Sequence, residues 1–153
     1  MTYKEYTEMK QKEVNELPLH FAFSQEQLNQ ELEKMGCTRD DIVGLGFAGA
    51  FVHKKDKEAV LAYFSKKDPI TDLMQNEEFA VEAFYYEMCN HEYAINWQAD
   101  WDVCACFCEK DPEYAEEKTY VEYLKEDGKE NLIPFYRKAK EKYMHDANEN
   151  EWF

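Results

Sequence analysis

The stretch NHEYAINWQADWDVCACFCEKD, residues 90–111, gathers one histidine, three of the five cysteines and two of the three tryptophans. Imidazole, thiolate and carboxylate together make the donor set of a zinc site, which closes around four ligands when structural and keeps one position open when catalytic. Cys104, Cys106 and Cys108 recur at every second residue. On a helix, neighbours in that series lie about 200° apart, so Cys104 and Cys108 share a face while Cys106 looks the other way. On a strand all three share one side. Asp-Trp-Asp followed by Val and Ala reads as helix. A metal centre here would draw on Cys104, Cys106, Cys108 and His91, with Cys89 or Cys37 as other sources of the fourth ligand. The competing reading is a set of buried structural thiols, since free cysteine is among the most buried residue types. No C-x-x-C pair occurs, which excludes an ordinary thioredoxin-like redox motif.

His91 and Glu92 fall at the end of an acidic helical segment. A histidine there is favoured by the helix dipole; it is also a candidate general base, oriented by Glu87 or Glu92. Cys89 is only two residues away along a helix, so a cysteine–histidine pair would have to use residues 104–108. GLGFAG, residues 44–49, has glycines that could wrap a phosphate. It lacks the lysine and hydroxyl of a phosphate loop and the context of a dinucleotide fingerprint, and its alternating Val43, Leu45, Phe47 and Phe51 fit strand packing. No Ser-His-Asp constellation stands out.

Thirty-three acidic residues against eighteen basic ones give a net charge of −15. Such a field repels nucleic acid and anionic membrane and attracts basic protein surfaces. The charge is concentrated: residues 68–110 hold ten acids and one base, residues 1–67 eleven and ten, residues 111–153 twelve and seven. Well-mixed surfaces carry both signs. The acidic helix therefore offers a docking face of Glu77, Glu78, Glu82, Tyr85, Tyr86, Glu87, His91 and Glu92, suited to a basic protein, including one that itself grips nucleic acid. Solubility alone is the plainer explanation. The tyrosine-rich faces leave room for a homodimer. No cofactor is expected. The N-terminus has no apolar run that would make a secretory signal, and no segment approaches the roughly 20 apolar residues of a membrane span. The odd cysteine count fits free thiols in a reduced, cytoplasmic protein.

The elements that must position these groups follow from periodicity and capping. A strand is expected over Leu17–Phe23, with Pro18 at its start or edge. Ser24 and Gln27 form a capping box for a helix with Leu28, Leu32 and Met35 inward, closed by Gly36. Ile42–His53 reads as a strand or hairpin, and residues 55–67 as a helix with Ala59, Val60, Tyr63 and Phe64 inward. Asp68-Pro69 restarts a helix that extends to Asn90, with a break near Asn76. Tyr93–Trp97 is expected to be extended, a helix starts near Asp100, and Asp111-Pro112 opens another that Gly128 terminates. A last helix covers residues 131–148. The fold class is α+β: a small N-terminal antiparallel sheet, about five helices and a mostly helical C-terminal half. The expectation is a single domain over 1–153, with residues 1–12 and 148–153 as fraying ends.

At LPLHFAFSQEQLNQELEKMG, GLGFAGAFV and EFAVEAFYYEMCNHEY the chain resembles a family of small uncharacterised proteins from Firmicutes and their phages or mobile elements. The resemblance covers residues 14–93. It implies an accessory protein, such as an inhibitor or nucleic-acid mimic that binds a protein partner, and it transfers no catalytic residue. The alternative is a small metal-binding protein or hydrolase-like enzyme centred on His91, Glu92 and Cys104–Cys108.

Overall fold

The computed structural model describes residues 1–152, so Phe153 of the C-terminal Trp-Phe pair lies outside the described residues. The fold is α+β, and the chain divides into two compact units. Residues 8–67 form one, which carries the sheet. Residues 1–7 and the chain from Asp68 onward form the other, which is helical. Helix α1 (Tyr3–Glu16) contributes its first turn to the helical unit and the remainder to the sheet unit.

In the sheet unit, β1 (His20–Phe21), α2 (Gln25–Met35), β2 (Ile42–Gly44), β3 (Ala50–His53) and α3 (Lys57–Ser65) follow in order. The strands are antiparallel with spatial order β1-β3-β2, and His20 faces Phe51 while Val43 faces Val52. The expected Leu17–Phe23 strand contracts to two residues. Leu17 N–H turns back to Val14 and Leu19 N–H to Leu17, and Pro18 has no N–H to offer, so pairing starts only at His20. Ser24 caps α2 by accepting from Gln27 N–H at 3.2 Å. Gln27 reaches back one residue further than a capping box requires, to Phe23 N–H at 2.8 Å. Gly36 closes the helix in the left-handed region, φ 67°.

The inward set expected on α3 is corrected. Only Val60 is buried; Ala59 is exposed, Phe64 is 49% exposed, and Tyr63 is half-buried with its hydroxyl on Glu13 at 3.0 Å. The short α3 presents one apolar position to the core, and its aromatics meet one another and Phe47 edge-on, Phe64 lying 5.9 Å from Phe47.

The β2–β3 hairpin turns through Gly46, Ala48 and Gly49, all at positive φ. Gly49 is needed for a second reason. A Cβ there would lie 2.4 Å from the carbonyl oxygen of Ala22, whose N–H donates to Gly49 O at 3.1 Å. This close approach lets β1 join the hairpin.

The helical unit is built from α4 (Ile70–Leu73), α5 (Glu77–Asn90), α6 (Ala99–Ala105), α7 (Tyr120–Glu126) and α8 (Ile133–Glu149). The expected break near Asn76 is present: Asn76 caps α5 by accepting from Phe79 N–H at 3.0 Å. Phe79, Ala80, Ala83, Phe84 and Met88 on α5 and Tyr136, Ala139, Tyr143 and Ala147 on α8 are buried. Small residues recur on both helices, which allows their axes to approach. Phe84 meets Tyr136 edge-on at 4.9 Å and Phe107 at 5.0 Å. Asp100, at the start of α6, ties α6, α7 and α8 together. Its carboxylate accepts from the hydroxyls of Tyr93 and Tyr136 (2.8 Å for the latter) and from Tyr120 N–H at 3.1 Å.

Two expected elements are corrected here. Tyr93–Trp97 is not extended but a succession of turns: Tyr93 N–H bonds back to Met88, Ile95 N–H to Glu92, and Ala94 N–H goes to the Tyr143 hydroxyl. Helix α7 opens at Tyr120 and not at Pro112. Thr119 and Glu122 make a reciprocal capping box there, whereas residues 112–118 form a loop. At the other end, Trp152 rests against Tyr143, ring centroids 5.5 Å apart.

Gly49→Ala is expected to lower stability by about 1–3 kcal/mol, combining a left-handed backbone with a backbone clash. A urea melt reads this as a lower midpoint at unchanged slope; an unchanged midpoint would contradict the close-approach argument.

Candidate metal centre

Helix α5 places residues four apart above one another, so Glu87 and His91 stack at its C-terminal end. Helix α6 ends beside them and presents Cys106 from its last turn. The helical geometry that separates alternate cysteines operates as expected. Cys104 is fully buried in the core, and Cys106 turns toward α5.

The three side chains converge. Cys106 Sγ lies 3.6 Å from Glu87 Oε2 and 3.6 Å from His91 Nε2, and Nε2 lies 3.5 Å from Oε2. One thiol, one imidazole nitrogen and one carboxylate oxygen thus occupy the corners of a near-equilateral triangle. With ordinary zinc bond lengths to S, N and O, one face of a tetrahedron has edges of about 3.3–3.6 Å. The observed triangle has that size.

Glu87 is only 7% exposed. Its Oε1 accepts from the Tyr3 hydroxyl at 2.8 Å, and its Oε2 from the Asn90 amide at 3.3 Å. Burial and the bond to Glu87 raise the Tyr3 pKa, so the phenol stays the donor. An ionised oxygen has two lone-pair directions, so Oε2 can serve Asn90 and a metal together. Asn96 donates to the carbonyl of His91 at 3.0 Å and to Asp102 at 2.7 Å, tying the turn after α5 to α6.

The same geometry argues against a cysteine–histidine nucleophile. A catalytic pair uses one ring nitrogen toward the thiol and the other toward its orienting carboxylate. Here both Sγ and Oε2 face the same atom, Nε2. The thiol is also ill suited to attack. Burial first, and then the charge of Glu87, push its pKa up to about 12. Its proton can go to Glu87 or to the carbonyl of Asp102, 3.3 Å away.

The other proposed residues are distributed elsewhere. Cys108 belongs to a separate polar group with Asp127 and Lys129, where burial and then Asp127 push its thiol up to about 11. The Asp127 carboxylate also receives Glu109 N–H at 3.0 Å and the Lys129 ammonium at 2.5 Å. Cys89 lies near Tyr85 and Asp146, and its pKa is raised by burial. Glu92 sits at φ 51° and lines a separate cavity with Ile95, Tyr143 and Trp152. On the acidic helix, Glu77 pairs with Lys138, Glu82 accepts from Lys4 N–H at 3.3 Å, and Tyr85 donates to Asp146 at 2.5 Å under Lys142. Glu78 and Tyr86 are exposed. Among the predicted residues, the structure therefore brings together Glu87, His91 and Cys106. It adds Tyr3 and Asn90, whose roles no local sequence pattern announced; the Glu-x-x-x-His spacing was the legible signal.

The chain belongs to a family of unknown function, DUF7659, whose model matches residues 2–106. That span is wider than the 14–93 stretch of the sequence resemblance and contains Tyr3, Glu87, Asn90, His91 and Cys106. No curated protein and no solved structure gives a significant match.

With its pKa raised this far, Cys106 is almost entirely thiol at pH 8 without a cation beside it. Alkylation of metal-free folded protein, followed at the Cys106 peptide by mass spectrometry, should be slow at that pH. Glu87→Gln removes the adjacent negative charge, lowers the thiol pKa and should accelerate it. Rapid Cys106 labelling in the parent protein, with no change in the variant, would refute this electrostatic account.

Proposed function

We propose that this is a metal-binding protein that holds one zinc-type divalent ion on Glu87, His91 and Cys106, with a fourth position left to solvent or a ligand. The observation that carries the reading is the convergence of three different donor atoms at 3.5–3.6 Å, with a single imidazole nitrogen facing both of the others. A hydrogen-bonding relay does not require that arrangement, and a coordination polyhedron does.

Charge supports it as well. A buried carboxylate is costly unless paired, and the groups on Glu87 here are a phenol, an amide, a thiol and an imidazole. A dication with one carboxylate, one thiolate and one neutral imidazole makes the site neutral. Mixed S, N and O donors suit zinc and its neighbours better than magnesium or calcium, which prefer oxygen alone. Tyr3 and Asn90 then act as outer partners that fix the carboxylate, as such residues commonly do around metal ligands. Cys106 is partly exposed and His91 half-buried, which leaves the fourth position accessible. Zinc with an open position supplies a Lewis acid and an acidified water.

A second reading concerns the acidic surface and is compatible with the first. It is supported by the absence of any lysine or arginine from Asp68 to Glu109 and by the exposure of Glu77, Glu78 and Tyr86 on α5. In it, the protein is a cytoplasmic accessory factor of phage or mobile-element type that docks a basic protein. No helix among the described residues is long and apolar enough to cross a membrane.

Titration with cobalt(II) should give one equivalent bound, with the sulfur-to-metal absorption band of a thiolate ligand. Cys106→Ser should abolish the band, and Glu87→Gln and His91→Ala should each weaken binding at least about 100-fold. Tyr3→Phe should cost about 10-fold, and Cys108→Ser should leave binding intact. Because a thiol with raised pKa must lose its proton on binding, affinity should rise about tenfold per pH unit between pH 7 and 9. A pH-independent affinity or an intact band in Cys106→Ser would defeat the assignment. For the docking surface, Lys in place of Glu77, Glu78 and Glu82 should abolish capture of its partner from a host extract, and unchanged capture would count against it.

A further inference from the structure

A second site lies between α6, α7 and the loop 112–118 of the helical unit. A cavity of about 280 Å³ opens there, walled by Trp97, Trp101 and Tyr114. Tyr114 stands nearly perpendicular to both indoles, at 84° and 5.5 Å from Trp97 and at 74° and 5.8 Å from Trp101. Trp97 is 78% exposed, far more than a core role for an indole would leave. Its neighbours are held in place. Trp101 Nε1 donates to Pro112 O at 2.6 Å, and the Tyr123 hydroxyl bridges Ala115 N–H and O at 3.2 and 3.1 Å. The loop that carries Tyr114 and Glu116 is therefore pinned at two points, and its ring is preorganised against the two tryptophans.

We infer that Trp97, Trp101 and Tyr114 form an aromatic cage for a methylated ammonium group, with Glu116 as its countercharge. Three arguments favour that occupant. Rings set at steep angles offer negative π faces from several directions, the arrangement that recognises quaternary ammonium and methyl-lysine heads; a sugar platform would want its rings more nearly coplanar. The cavity falls just below the usual range for whole small molecules, which suits a head group. The charge also has the right sign. Glu116 lines the cavity, whereas the one lysine in its wall, Lys118, has its ammonium committed to Glu126 at 3.1 Å. The Asp100 carboxylate, which also lines the cavity, accepts from Tyr93, Tyr136 and Tyr120.

The test is a titration of the full-length protein with tetramethylammonium chloride against sodium chloride at equal ionic strength, read by the indole N–H resonances of Trp97 and Trp101. The expected result is a saturable shift of both, absent with sodium. Trp97→Ala, which alters an exposed side chain and leaves the fold intact, should raise the apparent Kd at least about threefold, the change expected of a single exposed cation–π contact; Glu116→Gln should raise it in the same direction. The inference is overturned if the shift is linear, if Trp97→Ala leaves Kd unchanged, or if the neutral isostere tert-butanol or a methyl glucoside binds as well as the cation. Neither result bears on the metal ligands, none of which lines this cavity.

Discussion

The constraint on which the rest depends is a carboxylate at a core position. Along α5 the buried residues fall at 79, 80, 83, 84, 87 and 88, the stripe by which a helix meets its neighbours. Glu87 occupies one of those places. An apolar side chain there would simply lengthen the α5 seam; a carboxylate has to be matched. The matching groups come from three separate parts of the chain: the phenol of Tyr3, the amide of Asn90 and imidazole of His91 at the end of α5, and the thiol of Cys106 after α6. The N-terminal turn of α1 belongs to the helical unit, and its Tyr3 bond to Glu87 is reinforced by Tyr6, whose hydroxyl donates to Asp68 at 2.7 Å. Residues 1–7, the end of α5 and the chain after α6 thus meet at Glu87, where the Tyr3 ring also packs against Phe79, Tyr86 and Phe107.

Much of the fold was legible because it rests on local rules. Ser24 with Gln27, Gly36, the glycine-rich hairpin and the cap at Asn76 each announce themselves within a few residues. The failures share a cause: tertiary partners outvoted local preference. Asp111-Pro112 has a good helix-opening signature, but Trp101 takes the Pro112 carbonyl and Thr119 provides a better reciprocal cap, so residues 112–118 remain a loop. Tyr93–Trp97 has strand-like residues, but the chain turns back on the end of α5 and satisfies its N–H groups there. The α3 aromatics follow a helical period, yet only Val60 finds a core to enter.

The site was half legible. Helical arithmetic correctly separates Cys106 from Cys104 and Cys108, and stacks Glu87 on His91. Which cysteine would meet that pair depends on the crossing of α5 and α6, which no spacing encodes. The sequence grouped Glu87 with the surface acids of the same helix, whereas burial removes it from that set and leaves Glu78 and Tyr86 outside. Tyr3, eighty-four residues distant from Glu87, had no local signal at all.

The central claim is that Cys106 alone among the five cysteines shares a metal ion with His91 and Glu87. X-ray absorption at the zinc edge of the loaded protein measures this directly. The account predicts one sulfur at about 2.3 Å and three nitrogen or oxygen atoms at about 2.0–2.1 Å. A shell with no sulfur, or one with two or more, would contradict it, the latter by bringing Cys104 or Cys108 into a site from which the folded chain separates them.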